Sequence, residues 1–236
     1  SNTAVGVAAL GQNTTASNNT AVGYLSLSAN TTGYSLTAVG QGALDANTTG
    51  NLNVAVGTNA LGSNTVGDRN VAIGDNALAN FNLSSNADAY NVAIGLNAGI
   101  AVTTGLQNTL MGGIAGEGLT TGERNVIIGY LGASHSIQQT TGNYNVLVGA
   151  LTRCTSADGD QANGFGYNVA SAAGFTTLGA GDSDIRAQHG VATWATVSDE
   201  RYKKDITDSS LGLSFINALR PRTFKYRTKG ELPESF

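Results

Sequence analysis

Val54-Ala55-Val56, Val71-Ala72-Ile73, Val92-Ala93-Ile94, Val126-Ile127-Ile128 and Val146-Leu147-Val148 are apolar triplets, each standing directly before a glycine and separated from the next by polar sequence. The glycines that close these and the related units are Gly6, Gly23, Gly40, Gly57, Gly74, Gly95, Gly112, Gly129, Gly149 and Gly166, with Gly179 as a degenerate last member. Most steps are 17 residues; two are 21 and 20, their extra residues falling around 82–88 and 135–139. A period of this length without helical spacing predicts stacked β-coils, one per repeat. Each triplet is then a short strand with both faces covered. Ala9-Leu10, Ala43-Leu44, Ala60-Leu61 and Ala77-Leu78 add a second rung, and stacking is expected to bury Val, Ile and Leu in columns that one repeat cannot form alone.

The polar positions repeat too. Asn stands four residues before the closing glycine at Asn2, Asn19, Asn53, Asn70, Asn91, Asn108, Asn125 and Asn145, with Leu36 as the exception, and a further Gly stands seven before at Gly33, Gly50, Gly67, Gly105, Gly122 and Gly142. Gly and Asn enter left-handed backbone conformations at low cost, so each coil is expected to turn at these points. Asn53, Asn70, Asn91, Asn108, Asn125 and Asn145 are read as a structural turn ladder, with side chains in register to hydrogen-bond up the stack. Asn13-Thr14-Thr15, Asn30-Thr31-Thr32 and Asn47-Thr48-Thr49 form a third column. Its threonines are adjacent and so point to opposite sides, unlike a flat ice-binding face.

Composition divides the chain. Of 12 Lys and Arg residues, 8 lie from Arg201 onward, as do both prolines, while 30 of the 32 glycines precede Ser198. Before Ser198 there are 4 basic and 10 acidic residues, a net of 4 − 10 = −6; from Ser198 on there are 8 against 6. Neither part is basic enough for a nucleic-acid binder, and the glycines lack the Gly-x-y period of collagen. No apolar run is long enough for a membrane helix. Cys154 is the sole cysteine, so no intrachain disulfide and no Cys-based metal site is expected. No cofactor and no metal are expected. His135 and His189 lack a catalytic constellation, Asp158-Gly159-Asp160 lacks the ligand spacing of a calcium loop, and Glu117 with Glu123 is the only near pair of glutamates in the repeats. Opening in mid-repeat at Ser1, the sequence is expected to be a fragment of a longer protein.

The charged stretch Ser198-Asp199-Glu200-Arg201-Tyr202-Lys203-Lys204-Asp205-Ile206 has a different chemistry. It resembles the start of the endosialidase-type intramolecular chaperone, a self-cleaving domain at the C-terminal end of phage tail fibres and tailspikes. Ser198, Asp199, Arg201, Lys203 and Ile206 fall on the family pattern, and Leu211, Phe215, Ile216, Leu219, Arg220, Phe224 and Tyr226 resemble its helix followed by a strand. The resemblance covers about the last forty residues, which read as a chaperone truncated at Phe236. It implies a catalytic pair, Ser198 as nucleophile and Lys203 as base, and one self-cleavage of the Ser198–Asp199 bond after trimer assembly. A neutral lysine takes a serine proton, and burial favours the neutral amine. Such chemistry is at most a single-turnover autoproteolysis; no turnover enzyme is read in this chain.

The repeats also resemble the heads of trimeric autotransporter adhesins through Ala4-Val5-Gly6, Ala21-Val22-Gly23, Ala38-Val39-Gly40 and Ala93-Ile94-Gly95. Both resemblances imply a homotrimer, which would cover apolar flanks and remove lateral edges. The expected fold is therefore an all-β, solenoid or β-roll fibre with repeats of about 17 residues, followed by a short α+β chaperone fragment. Residues 1–181 are read as the fibre, 182–197 as a connecting β segment and 198–236 as the N-terminal part of the chaperone. The expected function is a structural and receptor-binding segment of a phage tail fibre in the virion, attaching to a glycan or protein on a host surface through the inserts or a tip domain. The alternatives are a tailspike depolymerase with its catalytic domain upstream, and a cellular adhesin or structural fibre at the cell surface.

Overall fold

A computed structural model describes residues 1–134, 138–181 and 183–196. Within them the chain is all-β, a solenoid whose coils repeat about every 17 residues. Nine three-residue strands come first: β1 (Thr3–Val5), β2 (Thr20–Val22), β3 (Thr37–Val39), β4 (Val54–Val56), β5 (Val71–Ile73), β6 (Val92–Ile94), β7 (Thr109–Met111), β8 (Val126–Ile128) and β9 (Val146–Val148). Then follow β10 (Arg153–Cys154), β11 (Asn163–Tyr167), β12 (Ala170–Ser171), β13 (Phe175–Ala180), β14 (Ile185–Gln188) and β15 (Ala195–Thr196). Strands β1 to β9, β11 and β13 make one parallel ladder in chain order, and β10 pairs with β12 beside it. At the far end β14 and β15 add in antiparallel sense, so the ladder does not end on another parallel rung.

Register holds through both long repeats. Val71 pairs with Val92 across the 21-residue step and Val126 with Val146 across the 20-residue step. In the first case the additional residues leave the coil after Phe81, where residues 84–88 are exposed. The strand column is thus insulated from the insertion.

The core is narrow, and that decides which residues enter it. From β2 to β9 the middle residue of each triplet points inward: Ala21, Ala38, Ala55, Ala72, Ala93, Leu110, Ile127 and Leu147 are fully buried, whereas Ala4 of the terminal β1 is exposed. Four coils with Ala in the strand fill the remaining space with Leu27, Leu44, Leu61 and Leu78; the Ala93 coil has Gly99 at this position, and a β-carbon there would stand 2.5 Å from Leu110 Cδ1 and 3.1 Å from Leu78 Cδ2 of the adjoining coils. Where the strand itself carries Leu110 or Ile127, the corresponding positions become Gly116 and Ala133. A β-carbon on Gly116 would stand 2.9 Å from Cδ2 of Leu110. The core is therefore kept filled either by exchanging which side of a coil supplies the volume or, at Ala93 and Gly99, by leucines of the adjoining coils.

Two expectations need correction. Val54, Val56, Val71 and Ile73 are not in a dry column of the protomer: they flank the inward Ala on the outer face, and Ile73 is 37% exposed. Side chains alternate along a strand, and the coil is too narrow to take the larger pair. Left-handed backbone also falls elsewhere than on the Asn ladder. It is the preceding residue that has positive φ, at Leu52 (59°), Arg69 (59°), Tyr90 (53°), Gln107 (59°), Arg124 (57°) and Tyr144 (58°). Leu44, Leu61 and Leu78 are left-handed as well, at φ 51–52°.

Candidate functional site

Inside the solenoid the asparagines form a continuous amide ladder. Asn53, Asn70, Asn91, Asn108, Asn125 and Asn145 are fully buried. From Asn53 to Asn125 each side-chain oxygen accepts from the Asn one coil on, as when Asn70 donates to Asn53 Oδ1 from its backbone N–H at 2.8 Å and from Nδ2 at 3.1 Å, and Asn145 Oδ1 accepts from the Ala162 backbone N–H at 2.7 Å. Nδ2 of Asn53, Asn91, Asn108, Asn125 and Asn145 donates in turn to a glycine carbonyl in the next coil, as from Asn91 to Gly105 at 2.9 Å. The ladder is a structural element of the interior, closed to any ligand.

A second ladder supports the first in the early coils. Asn30, Asn47 and Asn64 donate to Asn13, Asn30 and Asn47 respectively, at 2.9–3.3 Å. Asn64 Nδ2 also reaches the Gly67 carbonyl at 3.0 Å, which Asn53 already serves at 2.8 Å. This duplication accounts for Leu36. At that coil Asn47 alone satisfies the Gly50 carbonyl, at 3.0 Å, so an apolar residue can interrupt the main ladder. Beyond Asn64 the second column turns apolar, at Phe81, Val102 and Leu119.

The outer strand face is a continuous apolar surface. One column runs Val56, Ile73, Ile94, Met111, Ile128, Val148 and Phe165 in consecutive register. Val54, Val71, Val92, Val126 and Val146 run beside it, with Thr109 between. Exposed tyrosines border both columns: Tyr24, Tyr130 and Tyr167 follow the closing glycines, and Tyr90 and Tyr144 precede the ladder asparagines. Arg69 lies 5.8 Å from the Tyr90 ring centre and Arg124 5.3 Å from that of Tyr144, so the tyrosines on that edge are held by cation–π contacts. An apolar centre with an aromatic and Arg-bearing rim is the anatomy of a protein interface.

Other candidates have structural roles. Thr31, Thr48 and Thr120 hydroxyls donate to the carbonyls of Thr48, Thr65 and Thr140, at 2.9–3.1 Å, so these protons are committed within the stack. Asp160 Oδ1 accepts from the Asn143 backbone at 2.6 Å, and Glu123 pairs with Arg124 at 3.5 Å. His189 Nε2 sits 3.2 Å from the Thr176 hydroxyl; His135 lies outside the described residues. Cys154 is buried, and its thiol is pushed up to about 12, first by burial and second by the charge of Asp160. A thiol in that state is inert.

Ser198, Asp199, Arg201, Lys203 and Ile206, together with the expected helix and strand after them, lie outside the described residues. The solenoid belongs to the unit Ser1–Val197. A family profile described as "Chaperone of endosialidase" matches residues 198–235. No match was found among curated proteins or among solved structures.

Proposed function

We propose that the chain is a structural and receptor-binding segment of a trimeric phage tail fibre, with an autocleaving C-terminal chaperone that assembles the trimer. The observation that carries this reading is the chaperone match at residues 198–235 immediately after a repetitive β-solenoid. The outer strand face supports it, because a chain with nine apolar rungs on one side needs a cover, and copies of itself meet apolar column with apolar column. In this reading three chains pack those faces around a common axis, Tyr24, Tyr90, Tyr130 and Tyr144 close the rim, and the opposite faces of the coils meet the host surface.

Analytical ultracentrifugation together with mass spectrometry of the full-length protein tests both halves. The expected result is a trimer and a released fragment from cleavage at Ser198. A folded monomer that carries the complete chaperone would overturn the assembly reading, and a host panel to which the trimer does not adsorb would overturn attachment.

A further inference from the structure

Away from the strand face, the stack carries an open groove of about 400 Å³ between Asp45 and Ile100. Its floor is Gly62 and Ala79, at the coil position where the neighbouring repeats place Asp45 below and Ile100 above. Small residues in two successive coils therefore open a depression between larger ones. Its volume lies in the range of small-ligand sites.

Apart from Asp45, one coil earlier, the polar groups of the groove belong to the same two coils. Asn59 and Asn76 occupy a left-handed position, φ 53° and 56°, that other coils fill with Leu25, Ile114 and Leu131, so the turn itself does not require an amide. Ser63 and Asn80 stand where Ala29, Ala46 and Ala101 stand in other coils. The amides are pre-aligned, Asn59 Nδ2 donating to Asn76 Oδ1 at 3.5 Å and Asn76 Nδ2 to Asn97 Oδ1 at 3.2 Å. Amides, small floor residues and polar rim residues thus coincide at these two coils, and the amide column continues one coil further to Asn97 at φ 55°.

We propose that this groove binds a neutral saccharide, with the Asn59, Asn76 and Asn80 amides, the Ser63 hydroxyl and the Asp45 carboxylate engaging ring hydroxyls and Ile100 meeting a C–H face. Sugar hydroxyls both donate and accept, and amides offer both in one plane. Lys and Arg are missing from the lining, and residues 1–197 carry 10 acidic against 4 basic residues, so an anionic sugar is disfavoured. Burial raises the Asp45 carboxyl from its ordinary value, partly offset by the backbone N–H groups of Ala46 and Asp45. It still accepts hydrogen bonds from a neutral polyol at neutral pH. A peptide is the less favoured occupant, since the only sizeable apolar contact is Ile100. The inference rests on the attachment reading and names the chemistry of the receptor.

The test uses the fluorescently labelled full chain on an array of immobilised neutral and anionic glycans and on a panel of bacterial cells. Ala79→Leu fills the floor, Asn76→Gly removes an amide while keeping the left-handed backbone, and Thr49→Ala, outside the groove, is the control. The expected result is binding to a subset of neutral glycans that falls at least tenfold in Ala79→Leu and Asn76→Gly, with unchanged melting, and is unaltered in Thr49→Ala. Undiminished binding of both groove variants to glycans and cells would overturn the groove while leaving attachment intact, as would binding to cells with none to glycans. Wild-type protein that binds neither glycans nor cells would overturn both.

Discussion

Asn108 accepts two hydrogen bonds from Asn125 through a single side-chain oxygen, one from the backbone N–H at 3.0 Å and one from Nδ2 at 3.1 Å. Its own Nδ2 donates to the Gly122 carbonyl at 2.9 Å and to Asn91 Oδ1 of the preceding coil at 3.3 Å. One amide therefore ties three coils, and all of its partners are shut away from water. The neighbouring interior position is Leu119, so no second amide stands ready to replace it, unlike at Asn53.

Asn108→Leu and Asn53→Leu should consequently differ. Both remove the oxygen that serves the next Asn, but only the first strands a glycine carbonyl, because Asn64 continues to serve Gly67. An unsatisfied buried carbonyl costs about 1–3 kcal/mol. Urea unfolding of the two variants should show Asn108→Leu less stable by that margin, and equal midpoints would contradict the shared-carbonyl account.

Gly57 has φ +133°, and a β-carbon there would stand 2.5 Å from the carbonyl of Gly74. Gly57→Ala should cost more than about 3 kcal/mol, combining backbone strain with a backbone clash that no side chain can relieve. Gly113 has no such φ and would place its new methyl 3.6 Å from the Tyr130 ring. Gly113→Ala should be neutral or stabilising by about 0.4–1 kcal/mol, as restriction of the unfolded chain predicts. Thermal melting checks the pair.

The stacking period and the amide ladder were legible because they depend on residues that repeat in register: closing glycines at fixed steps, and Asn70 placed to donate to Asn53. Which side of Val71-Ala72-Ile73 faces inward was not legible. All three are apolar, so alternation gives no sign, and the choice follows from a coil width that only the packing of Ala72 with Leu78 reveals. The left-handed Leu44, Leu61 and Leu78 were hidden for another reason. Leucine rarely adopts positive φ, and here burial in the core overrides local preference. The groove escaped notice because it arises from small residues, Gly62 and Ala79, whose meaning lies in what their neighbours are.

Ile73 and Ala72 separate assembly from folding. Ala72 is fully buried while Ile73 is partly exposed in the protomer. Ala72→Asp forces a charge into the core and should prevent folding. Ile73→Asp should leave β-sheet circular dichroism intact yet abolish the trimer, since the charge would be buried only at the interface. A wild-type trimer content in Ile73→Asp would rule out the strand face as the contact.

Cys154 supplies a reporter of the interior. Its folded thiol titrates at about 12 against 9.0 for the unfolded group, so the native state holds the proton more tightly. Stability from this group is complete below pH 9 and is lost as pH rises from there toward 12. Iodoacetamide should label Cys154 only after denaturation at neutral pH. Rapid labelling of the native protein would show the site to be open.

The final prediction concerns Ser198 and Lys203, on which the proposed self-cleavage rests. In the full-length protein Ser198→Ala should abolish fragment release by removing the nucleophile, and Lys203→Ala should do so by removing the base that accepts its proton. Trimerisation should proceed in both, because the proposed assembling surface is the strand face and not the reacting pair. Lys204→Ala should cleave nearly as wild type, since the family pattern falls on Lys203 and not on its neighbour. Release should quicken as pH rises, because only the neutral amine acts as a base. Time-resolved mass spectrometry of the purified trimers reads all three variants. If Lys203→Ala releases the same fragment at the wild-type rate, the pair is misassigned; if Ser198→Ala releases it, the nucleophile lies elsewhere in the chain.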